Sequence, residues 1–147
     1  MKNLILIAAI FLFVGCSNDD NDKTTENITF TSVGQGALRG STIKQQNIVI
    51  KDLITWEALK KKMNETDKYH TEESLKETDI DFSKFQLIVA FYKQSNSATT
   101  IDITKVTMRS GKIFIKIENL QLSVIQNVAQ PFHIVKIPKS SKKIVFE

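Results

Sequence analysis

From Ile28 to Val33 the chain reads Ile-Thr-Phe-Thr-Ser-Val, β-branched and alternating, which predicts a first strand. Gly34, Gly36 and Gly40 follow at short intervals and predict a loop or bulged turn. Asn47 to Lys51 predicts a second short strand. The period then changes. Trp56, Leu59 and Met63 stand at i, i+3 and i+7 and share one face of a helix. Thr55 is placed to cap that helix, with Ile54 and Leu59 as a hydrophobic staple across its first turn. This register makes Trp56 a core residue rather than a ligand-stacking one. Residues 64–79 are polar and poorly periodic, which predicts a loop with a short helical turn around Glu72–Lys76.

Phe85 to Tyr92 predicts the main core strand. Phe85, Leu87, Val89 and Phe91 lie on one face and Ile88, Ala90 and Tyr92 on the other, so the strand is covered on both sides. A polar turn at 93–98 follows. Ile101 and Ile103 alternate, and Val106 and Met108 continue out of phase, which predicts a bulge near Thr104–Lys105. Arg109-Ser110-Gly111 predicts a tight hairpin loop, with Ile113, Ile115 and Ile117 on one face of the returning strand. Residues 119–130 fit either a strand or an irregular segment. Phe132 to Ile137 and Lys142 to Phe146 predict the last two strands. The sum is an α+β fold: a β-dominated antiparallel sheet or sandwich of about seven short strands with one packed helix near 55–63.

The first 27 residues follow other rules. Lys2 precedes an uninterrupted apolar run from Leu4 to Val14. A membrane-spanning helix needs ~20 apolar residues, so this run is too short to cross and fits the core of a secretory signal at 1–15. It ends in Phe13-Val14-Gly15-Cys16, which resembles the bacterial lipobox. That resemblance implies cleavage before Cys16 and lipid on its thiol, anchoring the protein to a membrane; two or more acyl chains suffice for stable attachment. Asp19, Asp20 and Asp22 then fall in a polar stretch with nothing to bury, so residues 16–27 read as a tether. An acidic patch directly after the lipid cysteine also resembles the surface-export signal of Bacteroidetes lipoproteins. The expected location is the bacterial outer membrane, lipid-anchored and surface-exposed. The remaining residues, 28–147, are expected to form a single domain.

Charge and residue usage narrow the function. The chain carries +4, of which Lys2 belongs to the leader, and only Arg39 and Arg109 are arginine. Nucleic-acid readers need arginine forks and a concentrated basic face, so no nucleic acid is expected as a partner. Lys60-Lys61-Lys62 lies among Glu57, Glu65 and Asp67 and reads as a solvated helix face. One cysteine permits no internal disulfide, and neither histidine has a metal-ligand partner at fixed spacing, so no metal or cofactor is expected. A nucleophile needs a base in reach and a group to orient it. Any triad would have to use His70, in the polar loop, or His133, inside an alternating strand, and neither position points to catalysis. Asp79 and Asp81 share a face if extended, but Asp81 fits a turn-capping role better. No catalytic residues are assigned.

The helix with Thr55-Trp56-Glu57-Ala58-Leu59, then Ile80-Asp81-Phe82-Ser83-Lys84, the core strand, the hairpin, and Gln130-Pro131-Phe132-His133-Ile134-Val135-Lys136-Ile137-Pro138-Lys139 come in a recognisable order. This order resembles the C-terminal domain of the protease-complex lipoprotein PrcB and its relatives, over residues 45–147. Relatives carry a Gly-Gly-Tyr-type turn where this chain has Ser95-Asn96-Ser97-Ala98-Thr99-Thr100. The resemblance implies a non-catalytic accessory lipoprotein partnered by a surface protease or another envelope protein. The exposed loops 64–79, 93–99 and 119–130 would form the contact surface, with Asn96, Ser97, Thr99 and His133 as candidate partner residues. The alternative is a surface lipoprotein that binds a small ligand or glycan in an aromatic-lined pocket, with Tyr69, Tyr92 and Trp56 as candidate stackers, of which Tyr92 and Trp56 read as core by their register.

Overall fold

A computed structural model describes residues 24–95, 98–123 and 128–147. Its elements are β1 (Glu26–Asn27), β2 (Thr31–Arg39), β3 (Gln46–Ile50), α1 (Leu53–Ser74), β4 (Phe85–Phe91), β5 (Ala98–Arg109), β6 (Lys112–Ser123), β7 (Ala129–Pro138) and β8 (Ile144–Phe146). The strands form two four-stranded sheets, ordered β1-β5-β6-β8 and β2-β7-β4-β3. The α+β, β-dominated class expected from the sequence is the class observed. Every pairing is antiparallel except β6–β8, where the final strand returns parallel, Ile113 beside Ile144.

Three layers follow from two apolar clusters. Trp56, Leu59 and Met63 of α1 pack on Leu87, Val89, Phe91, Phe132 and Ile134 of the second sheet. Ile88, Ala90, Val135 and Ile137 of that same sheet pack on Ile101, Ile103, Val106, Ile113 and Ile115 of the first. β4 and β7 therefore contribute one face to each cluster, and their near-continuous apolar sequences are the consequence of burial on both sides. Trp56 is fully buried, as its register required, and its indole N–H donates to the Thr78 carbonyl across 2.9 Å.

The helix is longer than its apolar period suggested. Its N-cap is Asp52, not Thr55: Asp52 Oδ1 accepts from the Thr55 amide at 2.8 Å, and Thr55 lies in the first turn. Beyond Met63 the helix runs on to Ser74 through residues expected to be loop. It does so in two halves. Asp67 has extended backbone (φ −155°, ψ 82°), and its carboxylate accepts from the His70 amide at 3.3 Å, so Asp67 restarts the helix as an internal cap. Buried Thr71 holds the second half, donating its hydroxyl to the Asp67 carbonyl across 2.7 Å.

The second half of α1 lies against β2, and this explains the glycines. Gly34 and Gly36 are strand residues, not a loop. A Cβ on Gly34 would meet Leu75 Cδ2 at 2.7 Å and the Ser74 carbonyl oxygen at 3.0 Å, and one on Gly36 would meet Ser74 Cβ at 2.9 Å. Leu75 bridges to Gly34 and the Lys76 amide donates to the Val33 carbonyl at 2.8 Å, so residues 75–76 cover the free edge of β2.

The predicted first strand, Ile28–Val33, forms only from Thr31 onward, and residues 28–30 pass from one sheet to the other. Glu26–Asn27 pairs with Met108 and Thr107 of β5, whereas β2 starts at Thr31 opposite Lys136 of β7. The bulge in β5 falls between Ile103 and Lys105, where the phase change placed it. Ser110 (φ 48°) and Gly111 (φ 70°) both adopt the left-handed conformation, as a two-residue type I′ hairpin requires.

Candidate functional site

His133 stands on β7 opposite Gln35 of β2 and Ala90 of β4, on the face that carries Val135 and Ile137. It is 3% exposed. Its expected place on a partner surface is therefore wrong, and the alternation of Phe132-His133-Ile134-Val135 holds the reason: residues 133, 135 and 137 share the inward face. Nε2 lies 3.1 Å from Ser32 Oγ, and Nδ1 lies 3.0 Å from an Asp102 carboxylate oxygen. Serine, histidine and aspartate thus stand in the order of a nucleophilic triad.

A fourth group decides the chemistry. The Ile103 amide donates to the same Nδ1 across 2.9 Å. An amide N–H can only donate and a carboxylate can only accept, so Nδ1 cannot serve both. The amide, whose proton is aimed at the ring nitrogen, puts the lone pair on Nδ1 and the ring proton on Nε2. The partly exposed Asp102 carboxylate then acts on the ring by its charge and not by a hydrogen bond. His133 then donates to Ser32 Oγ. A base for that serine has to accept its proton, which needs the opposite tautomer. Burial holds the imidazole below its ordinary range. The Asp102 carboxylate pulls it back only in part, and Lys76 adds to the depression. The ring is a neutral link between the sheets.

That link has a companion. β1 pairs with β5 only near its hairpin end, at Thr107 and Met108, with Ile28 donating to the Val106 carbonyl. Farther along, Gln35 Nε2 donates to the Ile101 carbonyl at 2.9 Å while His133 accepts from Ile103. Two side chains of the second sheet satisfy backbone groups on the β5 edge that no described strand pairs.

The remaining sequence candidates scatter. Cys16, Asn96 and Ser97 lie outside the described residues, and Thr99 lies in β5 opposite Gln121. Tyr92 packs half-buried against the cluster between the sheets, whereas Tyr69 is 69% exposed and meets the His70 ring edge-on. Asp81 does cap its turn, accepting from the Ser83 amide at 3.0 Å. Among the described residues no group of three or more His, Cys, Asp or Glu could hold a metal, and no helix is long and apolar enough to cross a membrane. An open cleft of about 670 Å³ lies inside the elbow of α1, lined by Glu57, Lys60, Lys61, Glu65, Glu72 and Leu75, with none of the three candidate aromatic stackers.

Parts of the three expected contact loops do converge. The Ser95 and Ala129 backbones exchange hydrogen bonds at 2.9 and 3.0 Å. Gln130, 1% exposed, is the hub beneath them: Nε2 donates to the carbonyls of Ile43 (2.9 Å) and Tyr92 (2.8 Å), and Oε1 accepts from the Ser41 hydroxyl. Asp67 joins from the helix elbow by accepting the Arg39 amide at 2.7 Å. Burial opposes ionisation of this carboxyl, but hydrogen bonds from Arg39 and His70 outweigh it and keep its pKa below the usual range. Residues 41–43, 92–95 and 128–130 and the Asp67–His70 elbow thus form one end of the sandwich, with Tyr69 and Val128 exposed there. Residues 75–79, the rest of the expected contact loop 64–79, run away from it along β2. No single sequence signal marks this end; Gln130 beside Pro131 reads as an ordinary polar residue until the loops close over it.

Comparison with protein-family models, with curated proteins and with solved structures finds no match to this chain.

Proposed function

We propose that the protein is a lipid-anchored envelope lipoprotein that serves as a non-catalytic interaction subunit and presents its loop-built end to a protein partner. The polarity of the fold carries this reading. The chain enters at Glu26, opposite Met108 and next to the Ser110–Gly111 turn. The converging loops lie at the far end of β7, whose ten residues span about 33 Å. With lipid on Cys16, as the lipobox-like Phe13-Val14-Gly15-Cys16 implies, the loop end lies at the end of the sandwich opposite the one where the anchored segment enters, and stays open to a partner. The likeness to PrcB-type lipoproteins supports the same role, with a surface protease or another outer-membrane protein as partner. The Nε2–H tautomer of His133 speaks against Ser32 as a nucleophile.

The test has two arms. Cells are grown with a clickable fatty acid, and a photo-crosslinking residue is placed at Tyr69, at Val128 or, for comparison, at Ser110. The expected result is label on the parent chain, none on Cys16→Ser, and a defined protein adduct from Tyr69 or Val128 only. Label retained by Cys16→Ser overturns the anchor. Adducts from Ser110 alone overturn the assignment of the loop end.

A further inference from the structure

The outer face of the first sheet carries cations where a sheet normally avoids them. Lys105 stands directly opposite Lys116, and Arg109 directly opposite Lys112. Val106, Ile113 and Ile115 point into the cluster between the sheets, so the pleat turns Lys105, Lys112, Phe114 and Lys116 outward. Facing like charges destabilise a ladder. The Ile113 amide donates to the Lys143 carbonyl at 2.9 Å, which adds another exposed lysine on the β8 side. Lys116 pairs with Glu118 at 2.8 Å and Arg109 with Glu147, but Lys105, Lys112 and Lys143 form no ion pair among the described residues. At the centre lie half-buried Phe114 and its neighbour Val145, with the Arg109 guanidinium 3.9 Å over the Phe114 ring. α1 packs on the other sheet, and no described element covers this face.

We propose that this face rests on an anionic lipid surface, with Phe114 and Val145 toward the headgroups and Lys105, Lys112, Lys116 and Lys143 around them. A flat cationic face with an apolar centre suits a charged plane. The proposal rests on the lipoprotein reading in one respect: β1 is the edge strand of this same sheet, and Cys16 lies ten residues before Glu26. Ten extended residues reach at most about 35 Å, so a lipid on Cys16 keeps this face near the bilayer.

Flotation with vesicles tests it on residues 16–147 carrying Cys16→Ser, so that neither the apolar leader nor a covalent lipid contributes. The vesicles are phosphatidylcholine alone or with one third phosphatidylglycerol. Expected is extra binding to the anionic vesicles that added salt abolishes, weakened more than about tenfold by Lys105→Glu with Lys116→Glu. Lys44→Glu with Lys93→Glu, away from this face, leaves it unchanged. Equal binding to both vesicles overturns the proposal, as does a Lys105/Lys116 double variant that binds like its parent with an unchanged melting curve. Binding that appears only after Asp19, Asp20 and Asp22 are changed to Asn also overturns it, assigning the face to the chain's own acidic segment. Because the lipid is removed in every arm, these outcomes are independent of fatty-acid labelling.

Discussion

The amide of Ile103 and Nδ1 of His133, 2.9 Å apart, join a strand of one sheet to a strand of the other. His133→Leu keeps the bulk but leaves the amide without its acceptor and Ser32 without its donor. The expected cost is about 1–3 kcal/mol, read as a lower urea midpoint with an unchanged slope. His133→Gln, which can still accept and donate, is expected to recover part of it. Equal stability of the Leu variant and the parent would show that the link contributes nothing.

The same ring sets a pH dependence. Burial lowers the His133 pKa in the folded state, and an unfolded histidine titrates near about 6.5. As pH falls through that value the unfolded chain takes up a proton that the native chain does not, so stability declines with falling pH. The contribution is complete above the unfolded pKa and lost progressively toward the folded one. Asp52, Asp67, Asp81 and Glu118 are shifted down from lower values, and their contributions fall away in more acid solution. Denaturation curves at a series of pH values are expected to show the decline begin near neutrality in the parent and to be flatter there in His133→Gln.

Gly36→Ala tests the contact between α1 and β2. The added methyl would sit 2.9 Å from Ser74 Cβ, closer than van der Waals contact allows. Overpacking of this kind costs about 1–3 kcal/mol, measurable by thermal melting. Ser74→Gly in the same chain is expected to restore much of the loss. No restoration would place the cost in the strand itself rather than in the contact.

Gln86 presents the opposite case. It is fully buried on β4, and neither its Nε2 nor its Oε1 makes a hydrogen bond among the described residues. Replacing a buried, unpartnered amide with an apolar group of similar size removes a desolvation cost, so Gln86→Leu is expected to gain about 1–2 kcal/mol. A loss of stability on urea denaturation would mean that the amide has a partner in solution.

The elements that were legible in the sequence are those whose signal is local. Two-sided burial of β4 shows in the two apolar faces of Phe85–Tyr92. The β5 bulge shows in the slip between Ile103 and Val106, and the turn shows in Ser110-Gly111. What was not legible depends on contacts far along the chain. Residues 64–74 lack an apolar period because their helix is held by the Asp67 cap, by Thr71 and by a glycine surface on β2. Gly34 and Gly36 read as turn residues for the same reason: a missing side chain looks alike whether it frees a turn or admits a helix. His133 could be placed inward by alternation alone. Its partners could not be foreseen, because Ser32 is 101 residues away and Asp102 lies on the other sheet. The loop end was legible as loops, but not as one end.

On the proposed lipoprotein reading, the pairing of β2 with β7 bears on export. Thr31 lies against Lys136 and Arg39 against Ala129, so one of the first strands to emerge has its neighbour among the last. Both apolar clusters draw on β7, and neither is complete until it arrives. A chain threaded through a translocon from its N-terminus would therefore stay unfolded for most of its passage, and long-range closure of this kind is intrinsically slow. If the chain is exported as proposed, delayed closure is compatible with transport.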